Sequence, residues 1–445
     1  MAALPNTRLT ARAARVAQVL WVGMRRIAPI GLRRLVRRPA PTAAVARRLR
    51  LAIADLGGVY VKFGQLLGSS PSVFGPDIAA EFRGFLDKGP AVELADIVRM
   101  IEREWGRPIS EVVEHIDPQP VGCASLAVVH RATLRTGEDV AIKVLRPRIE
   151  AHVAIDMGLL QPLAALIARR FGVGQAEPAV RLLDGLSQQL AEEIDLNREA
   201  RATSRAHERL VSHPHGRVAV PRAFAELSTR RVLVTEYVEG VAVDSSEILD
   251  WDIEPAALMH DLVGWWFASV LTDEFHADLH AGNLMVTRHG RLYVLDWGIV
   301  GRLNATSARF FHHLLEALLG KEEAWTDALA PLIAGWDKPP GMSDQDLAIM
   351  LRELLVAVFT RPFAEVDLTG LVIIPEHDPA AQPNTRDDLD EWMAGEGTEF
   401  ERHLTQLVKQ LLYFERYGKL YMPEQSLLSD RAHLLALLSD GGTIS

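Results

Sequence analysis

HADLHAGN, His276 to Asn283, followed by VLDWG, Val294 to Gly298, is the stretch that decides the fold. Asp278 and Asn283 are five residues apart, and Asp278 and Asp296 are eighteen apart. Between them, LMVT, a turn at His289-Gly290 and RLYVLDW read as a hairpin. One hairpin brings both acids to the same end. There Asp278 can accept or orient the proton of an attacking hydroxyl. Asn283 and Asp296 can hold a magnesium ion that bridges phosphate oxygens.

The D-x-x-x-x-N spacing is that of a phosphoryl-transfer catalytic loop, and Asp296 stands where kinases keep the Asp of D-F-G, with Trp297 for Phe. Upstream, VAIKV, Val140 to Val144, matches the strand whose lysine contacts nucleotide phosphates. Lys143 is one of only seven lysines against 41 arginines, so its amine reads as a required point charge. It lies on the second strand of another hairpin, which turns at Thr136-Gly137-Glu138. Singly, such signals are weak: a V-A-I-K strand is usually core, and an Asp after a strand is usually a turn residue. Their order and strand contexts carry the argument. No G-x-G-x-x-G precedes the lysine strand; its place holds Gly122-Cys123-Ala124-Ser125-Leu126-Ala127, a stiffer turn over the phosphates.

Outward from these motifs the chain reads in four parts. Residues 1–50 form a basic amphipathic arm, 51–118 a helical extension ending at Pro118-Gln119-Pro120, 119–240 a kinase-like N-lobe with a helical insert, and 241–445 a mainly helical C-lobe. The fold class is α+β: a two-lobed protein-kinase-like fold with an N-terminal helical extension. A Pro- and acid-rich stretch near 361–399 reads as an inserted loop, and the nine acids of 376–401 as a solvated face.

The 445 residues carry a net charge of -10, but the first fifty hold twelve arginines and no acid. That leaves 36 basic against 58 acidic side chains elsewhere, which argues against a nucleic-acid partner. The arm's arginines beside Val16, Val19, Leu20 and Trp21 suit an anionic membrane surface; a packed or floppy arm and a transit peptide are the alternatives. The single cysteine rules out an intrachain disulfide framework, and no apolar run reaches the roughly 20 residues of a membrane span.

Further motifs add a resemblance. LGGVYVKFGQLLGSSPSVFG, PVGCASLAVVHRA, EEIDLNREA, FHADLHAGNL, LDWGIVG and LLYFERYGKLYMP stand in the order of the UbiB family, the aarF-domain atypical kinases. The chain resembles that family over about residues 50–438. The resemblance implies that Lys143 holds the α/β-phosphates of ATP and pairs with Glu199. Asp278 would be the catalytic Asp, with Asn283 and Asp296 on Mg²⁺. Gly122 to Ser125 would be the nucleotide loop, and Glu236, Tyr237 and Val238 the hinge against adenine. Lys62 and Gln65 would lie across the site, held by Glu193 and Asp195. The implied activity is that of an ATP-dependent kinase or ATPase acting in isoprenoid-quinone or other lipid metabolism, cytoplasmic and peripherally membrane-associated in a bacterium.

Departures keep two other readings open: a nucleotide-switched lipid-binding module and an aminoglycoside-type phosphotransferase. Leu279 and Ala281 replace the family's prolines, and HADLH is similar to the H-G-D-L-H of small-molecule kinases. His276 and His280 flank Asp278; a backbone-orienting His276 is expected over a zinc site. Trp265 and Trp266 read as core, and Cys123 as a small buried residue.

Overall fold

The two strands Ala127–Leu134 and Asp139–Leu145 alternate buried and partly exposed residues with period two, as half-buried strands do. The computed structural model describes residues 9–26, 42–69, 81–82, 92–171, 187, 190–272, 274–335, 341–366 and 399–440. In chain order the elements are α1 (Leu9–Arg26), α2 (Thr42–Leu56), α3 (Val59–Ser69), α4 (Leu94–Trp105), β1 (Val113–Ile116), β2 (Gly122–Cys123), β3 (Ala127–Leu134), β4 (Asp139–Leu145), α5 (Ile149–Phe171), α6 (Leu196–Ser212), β5 (Val218–Ala219) and β6 (Val232–Glu236). There follow β7 (Val241–Ala242), α7 (Pro255–Thr272), β8 (Glu274–His276), β9 (Leu284–Val286), β10 (Leu292–Val294), β11 (Val300–Arg302), α8 (Ala305–Leu318), α9 (Ala324–Gly335), α10 (Asp344–Thr360), α11 (Glu399–Tyr421) and α12 (Arg431–Asp440). Two units emerge. The first takes the described residues up to Arg201 and Ala223–Tyr237, and the second takes Ala202–Arg222 and the described residues from Val238 on.

In the first unit, an antiparallel sheet runs β1-β3-β4-β6, with β2 also paired to β3. The β3–β4 turn falls at the expected place, and Gly137 adopts φ +96°, which a side chain would strain. Period two sorts the residues of β4. Val140, Ile142 and Val144 pack with Ile97 and Ile101 of α4. Lys143 and Leu145 point the other way, and Leu145 packs with Leu196 and Ala200 of α6. β1 lies inside the 51–118 segment, expected to be mostly helical. Its four residues are interrupted by a register shift between Val113 and His115, so no alternation marks it.

α1 packs onto this unit. Val22 is buried, and Arg15 makes a buried ion pair with Asp156 of α5 at 2.7 Å. The other side of α1 leaves Leu20, Trp21 and Met24 exposed, with Arg25 stacked over Trp21 at 5.1 Å. The arm-to-extension boundary at residue 50 falls within α2. Residues 27–41 of the arm and 367–398 of the acidic loop lie outside the described residues.

The second unit is built around Trp266, fully buried and edge-on to Phe267, Phe275, Phe311 and Phe414 at 5.2–6.2 Å. Trp265 is buried beside it, as expected. Pro255 starts α7, where its missing N–H costs nothing. The sheet order is β5-β10-β9-β7, and β8 pairs with β11 separately. Gly301 of β11 lies so close to the Phe275 ring that a Cβ there would sit 2.2 Å from it.

Candidate active site

In the first unit, Lys143 reaches across to Glu199 in the first turn of α6. Its Nζ lies 2.8 and 2.9 Å from the two carboxylate oxygens. The pairing follows from β4: the face opposite Val140 and Ile142 is the one covered by α6. Lys62 of α3 pairs with Glu193 at 3.1 Å, so the K-x-G-Q lysine and the E-x-D glutamate meet. Gln65 lies in α3, but its side chain is outside the described set. Asp195 caps α6, its Oδ1 accepting the Asn197 N–H at 3.2 Å.

The expected nucleotide loop is pinned rather than loose. Ala124 donates its N–H to the Ala127 carbonyl at 3.0 Å, and its own carbonyl accepts from Arg146 Nε at 2.9 Å. Arg146, missed at the sequence level, also donates its N–H to the Leu126 carbonyl. The Ala124 N–H is therefore committed within the turn and is not free for a phosphate. Ser125 is buried, while Cys123 is exposed, against the expectation of a small buried residue; β2 is a two-residue edge strand and leaves its thiol outside. Gly122 pairs with Val129 on β3. In the hinge segment, Glu236 pairs with Val140, and the Tyr237 N–H goes to the Asp139 carbonyl at 3.0 Å.

In the second unit, β9 and β10 form the expected hairpin, Leu284 opposite Val294. The Leu295 N–H donates to the Asn283 carbonyl at 2.7 Å, closing the end at which Asp278 and Asp296 emerge. His276 joins the two loops. Its Nδ1 accepts the Asp278 N–H at 3.1 Å, and its Nε2 faces the carbonyls of Leu295 and Asp296, both at 3.0 Å. With Nδ1 accepting, Nε2 carries the proton, and burial lowers the His276 pKa, which keeps the ring neutral. Trp297 packs edge-on against that ring at 5.0 Å. Asp296 sits at φ +42°, a strained backbone conformation of the kind that collects at functional sites.

Asn283 is buried and donates Nδ2 to the Asp278 carbonyl at 2.9 Å, which leaves its Oδ1 as the acceptor end. Hard oxygen donors from Asn283 and Asp296 suit magnesium shared with phosphate oxygens. Both ring nitrogens of His276 face backbone groups, the loop-orienting role expected of it. His280 turns Nδ1 to the Gly282 N–H at 3.0 Å.

The helix α11 holds the catalytic loop through four residues: Lys409 and Gln410, which lie outside every motif, and Tyr413 and Tyr417, which lie within LLYFERYGKLYMP but had no role assigned. Gln410 brackets Asp278: its Oε1 accepts the Leu279 N–H at 2.9 Å, and its Nε2 donates to the Ala277 carbonyl at 2.7 Å. Tyr417 donates to the Leu279 carbonyl at 2.9 Å. Lys409 Nζ and the Tyr413 hydroxyl both reach Asp278 Oδ1, at 2.9 and 3.2 Å. Burial opposes ionisation of Asp278, but Lys409, with less help from His280, holds its carboxyl below the usual range. Burial, then Asp278 itself, pushes the Tyr413 hydroxyl up, so it stays a donor.

A Lys–Glu pair between strand and helix, with an Asp, an Asn and a second Asp ending one hairpin, defines a protein-kinase-like fold. The chain matches the ABC1 atypical kinase-like domain over residues 85–327, more than half its length. It belongs to that family, the aarF/UbiB atypical kinases. It is 32% identical over 394 residues to an uncharacterized, chloroplastic aarF domain-containing protein kinase of Arabidopsis thaliana, covering 86% of this chain and 73% of that one. An uncharacterized protein of Mycobacterium tuberculosis is 31% identical over 437 residues, 97% and 85% of the two chains. A Pseudomonas putida protein named probable protein kinase UbiB is 30% identical over 401 residues, 89% and 71%. Among solved structures, a Mycobacterium tuberculosis protein in complex with erythromycin aligns with TM-score 0.49 and 18% identity, over 75% of this chain and 84% of that one.

Proposed function

We propose that this protein is an ATP- and magnesium-dependent phosphotransferase or ATPase serving isoprenoid-quinone or other lipid metabolism at a membrane surface. The observation that carries the proposal is the hairpin end where His276 ties the Asp278 and Asp296 loops together. In this reading Asp278 accepts the proton of the attacking hydroxyl. Magnesium, held by Asn283 and Asp296, neutralises phosphate charge when bound. Lys143 contacts the α/β-phosphates, and Glu199 keeps its amine in place. Lys62, tied to Glu193, limits what can approach as acceptor and favours a small lipid-like molecule or water.

The membrane part rests on α1. Its outer ridge of Leu20, Trp21 and Met24 pairs apolar side chains with arginine, in a fifty-residue segment without acids. Among the described residues no helix is long and apolar enough to cross a membrane. ATP hydrolysis by the purified protein with magnesium, with and without anionic liposomes, tests the proposal against Asp296→Asn as blank. Turnover above the blank, raised by liposomes, is the expected result. Nucleotide binding without turnover would favour the nucleotide-switched lipid-binding module, for which the committed Ala124 N–H is the one structural argument.

A further inference from the structure

Lysine is scarce in this chain, seven residues against 41 arginines. Three of the seven sit on carboxylates that the motifs single out. Lys62 pairs with Glu193, Lys143 with Glu199, and Lys409 with Asp278, at 3.1, 2.8 and 2.9 Å. The first two lie in the motifs themselves. Lys409 does not: it comes from α11, far downstream, which carries Lys419 as well as Arg402 and Arg416. A lysine supplies a compact charge with rotatable donors instead of a planar fork.

Its placement is specific. Lys409 and Tyr413, one turn apart, both hold Oδ1 of Asp278. Among the described residues Oδ2 has no such partner. Within the catalytic loop the ring of His280, two residues after Asp278, is turned to the Gly282 N–H, so the cation seated on Oδ1 is Lys409. Gln410, adjacent to Lys409, clamps the backbone on both sides of Asp278, so the helix fixes main chain and side chain together.

We propose that Lys409 is a positioning residue for phosphoryl transfer: by fixing Oδ1 it aims Oδ2 at the acceptor hydroxyl, and its charge offsets the carboxylate beside an anionic phosphate. The inference rests on the phosphotransferase reading above. In that step the acceptor O–H passes its proton to Oδ2 while the acceptor oxygen bonds to the γ-phosphorus. The bond from the γ-phosphorus to the bridging oxygen breaks, and ADP leaves with that electron pair. Lys409 exchanges neither atom nor electron; it sets geometry and field.

The test uses the purified full chain with ATP, magnesium and water as acceptor. It compares wild type with Lys409→Met, Lys409→Arg and Tyr413→Phe for kcat, KM, ATP affinity and thermal midpoint. Lys409 is 40% exposed, so methionine there leaves the fold intact. Lys409→Met lowers kcat by about 10²-fold, the scale of a misplaced reacting group. KM and ATP affinity stay within about twofold, because binding is not what is lost. Lys409→Arg regains part of the kcat, and Tyr413→Phe loses less than Lys409→Met. An active wild type with an equally active Lys409→Met overturns this inference alone, and a faster Lys409→Met overturns it too, by making Lys409 a brake. A kcat loss matched by a fall in thermal midpoint overturns it as merely structural. A wild type with no turnover above the Asp296→Asn blank sinks the underlying reading and this inference with it.

Discussion

Nδ1 of His276 accepts the backbone N–H of Asp278 at 3.1 Å, while the opposite ring nitrogen serves the carbonyls at Leu295 and Asp296. One buried imidazole thus sets the spacing of the proposed catalytic and metal loops. Its pKa is depressed by burial, so the folded protein resists protonation that the unfolded chain accepts. The sign follows: the stabilisation is fully present above the unfolded value of about 6.5 and is lost as pH falls below it. Unfolding by denaturant between pH 7.5 and 5 should show stability falling with pH. His276→Asn should flatten that slope, and an unchanged slope would contradict the role.

Gln410 is fully buried and makes hydrogen bonds to the backbone on either side of Asp278. Gln410→Ala leaves an N–H and a carbonyl without partners. A loss of about 1–3 kcal/mol for each group so stranded is expected. Turnover should fall alongside, because the loop that presents Asp278 loses its clamp. Denaturant unfolding and ATP hydrolysis on the same preparation check both, and wild-type stability would remove Gln410 from the account.

The ion pair of Lys143 and Glu199 is formed with 19% and 7% side-chain exposure. Lys143→Met strands a nearly buried carboxylate, which typically costs about 3–5 kcal/mol. Glu199→Gln added to Lys143→Met should recover much of that stability while turnover stays lost. Recovery of turnover in the double variant would show that the lysine acts only on the fold.

Arg15 tells a similar story in α1. It is buried against Asp156, with Nε and Nη2 on the two carboxylate oxygens at 2.8 and 2.7 Å. Arg15→Met should destabilise the protein by about 3–5 kcal/mol. Leu20→Asp with Trp21→Asp, on the exposed ridge, should leave stability unchanged and abolish sedimentation with anionic liposomes. Liposome binding unchanged in that variant would move the membrane contact elsewhere.

Both hairpins were legible because each is local: alternation over a few residues and a glycine turn settle it. The meeting of Lys143 with Glu199 and of Lys62 with Glu193 was legible only through motifs, since strand and helix patterns do not say which partners face each other. β1 was hidden by its length and its irregular register. The holds of Lys409, Gln410, Tyr413 and Tyr417 were hidden by distance along the chain. Their i, i+4, i+8 spacing at 409, 413 and 417 marks a helix face but not the loop that the face grips. Arg15 carried no sign of burial, because an arginine stripe reads as a solvated face until an acid is found beneath it.

The most direct test of the central claim is steady-state ATP turnover, with magnesium, by wild type, Asp278→Asn and Asp296→Asn. The account predicts measurable wild-type turnover and a fall of about 10³-fold or more in each variant, with thermal midpoints unchanged because the Asp278 side chain is held by one oxygen and Asp296 is exposed. Wild-type turnover in both variants would contradict it.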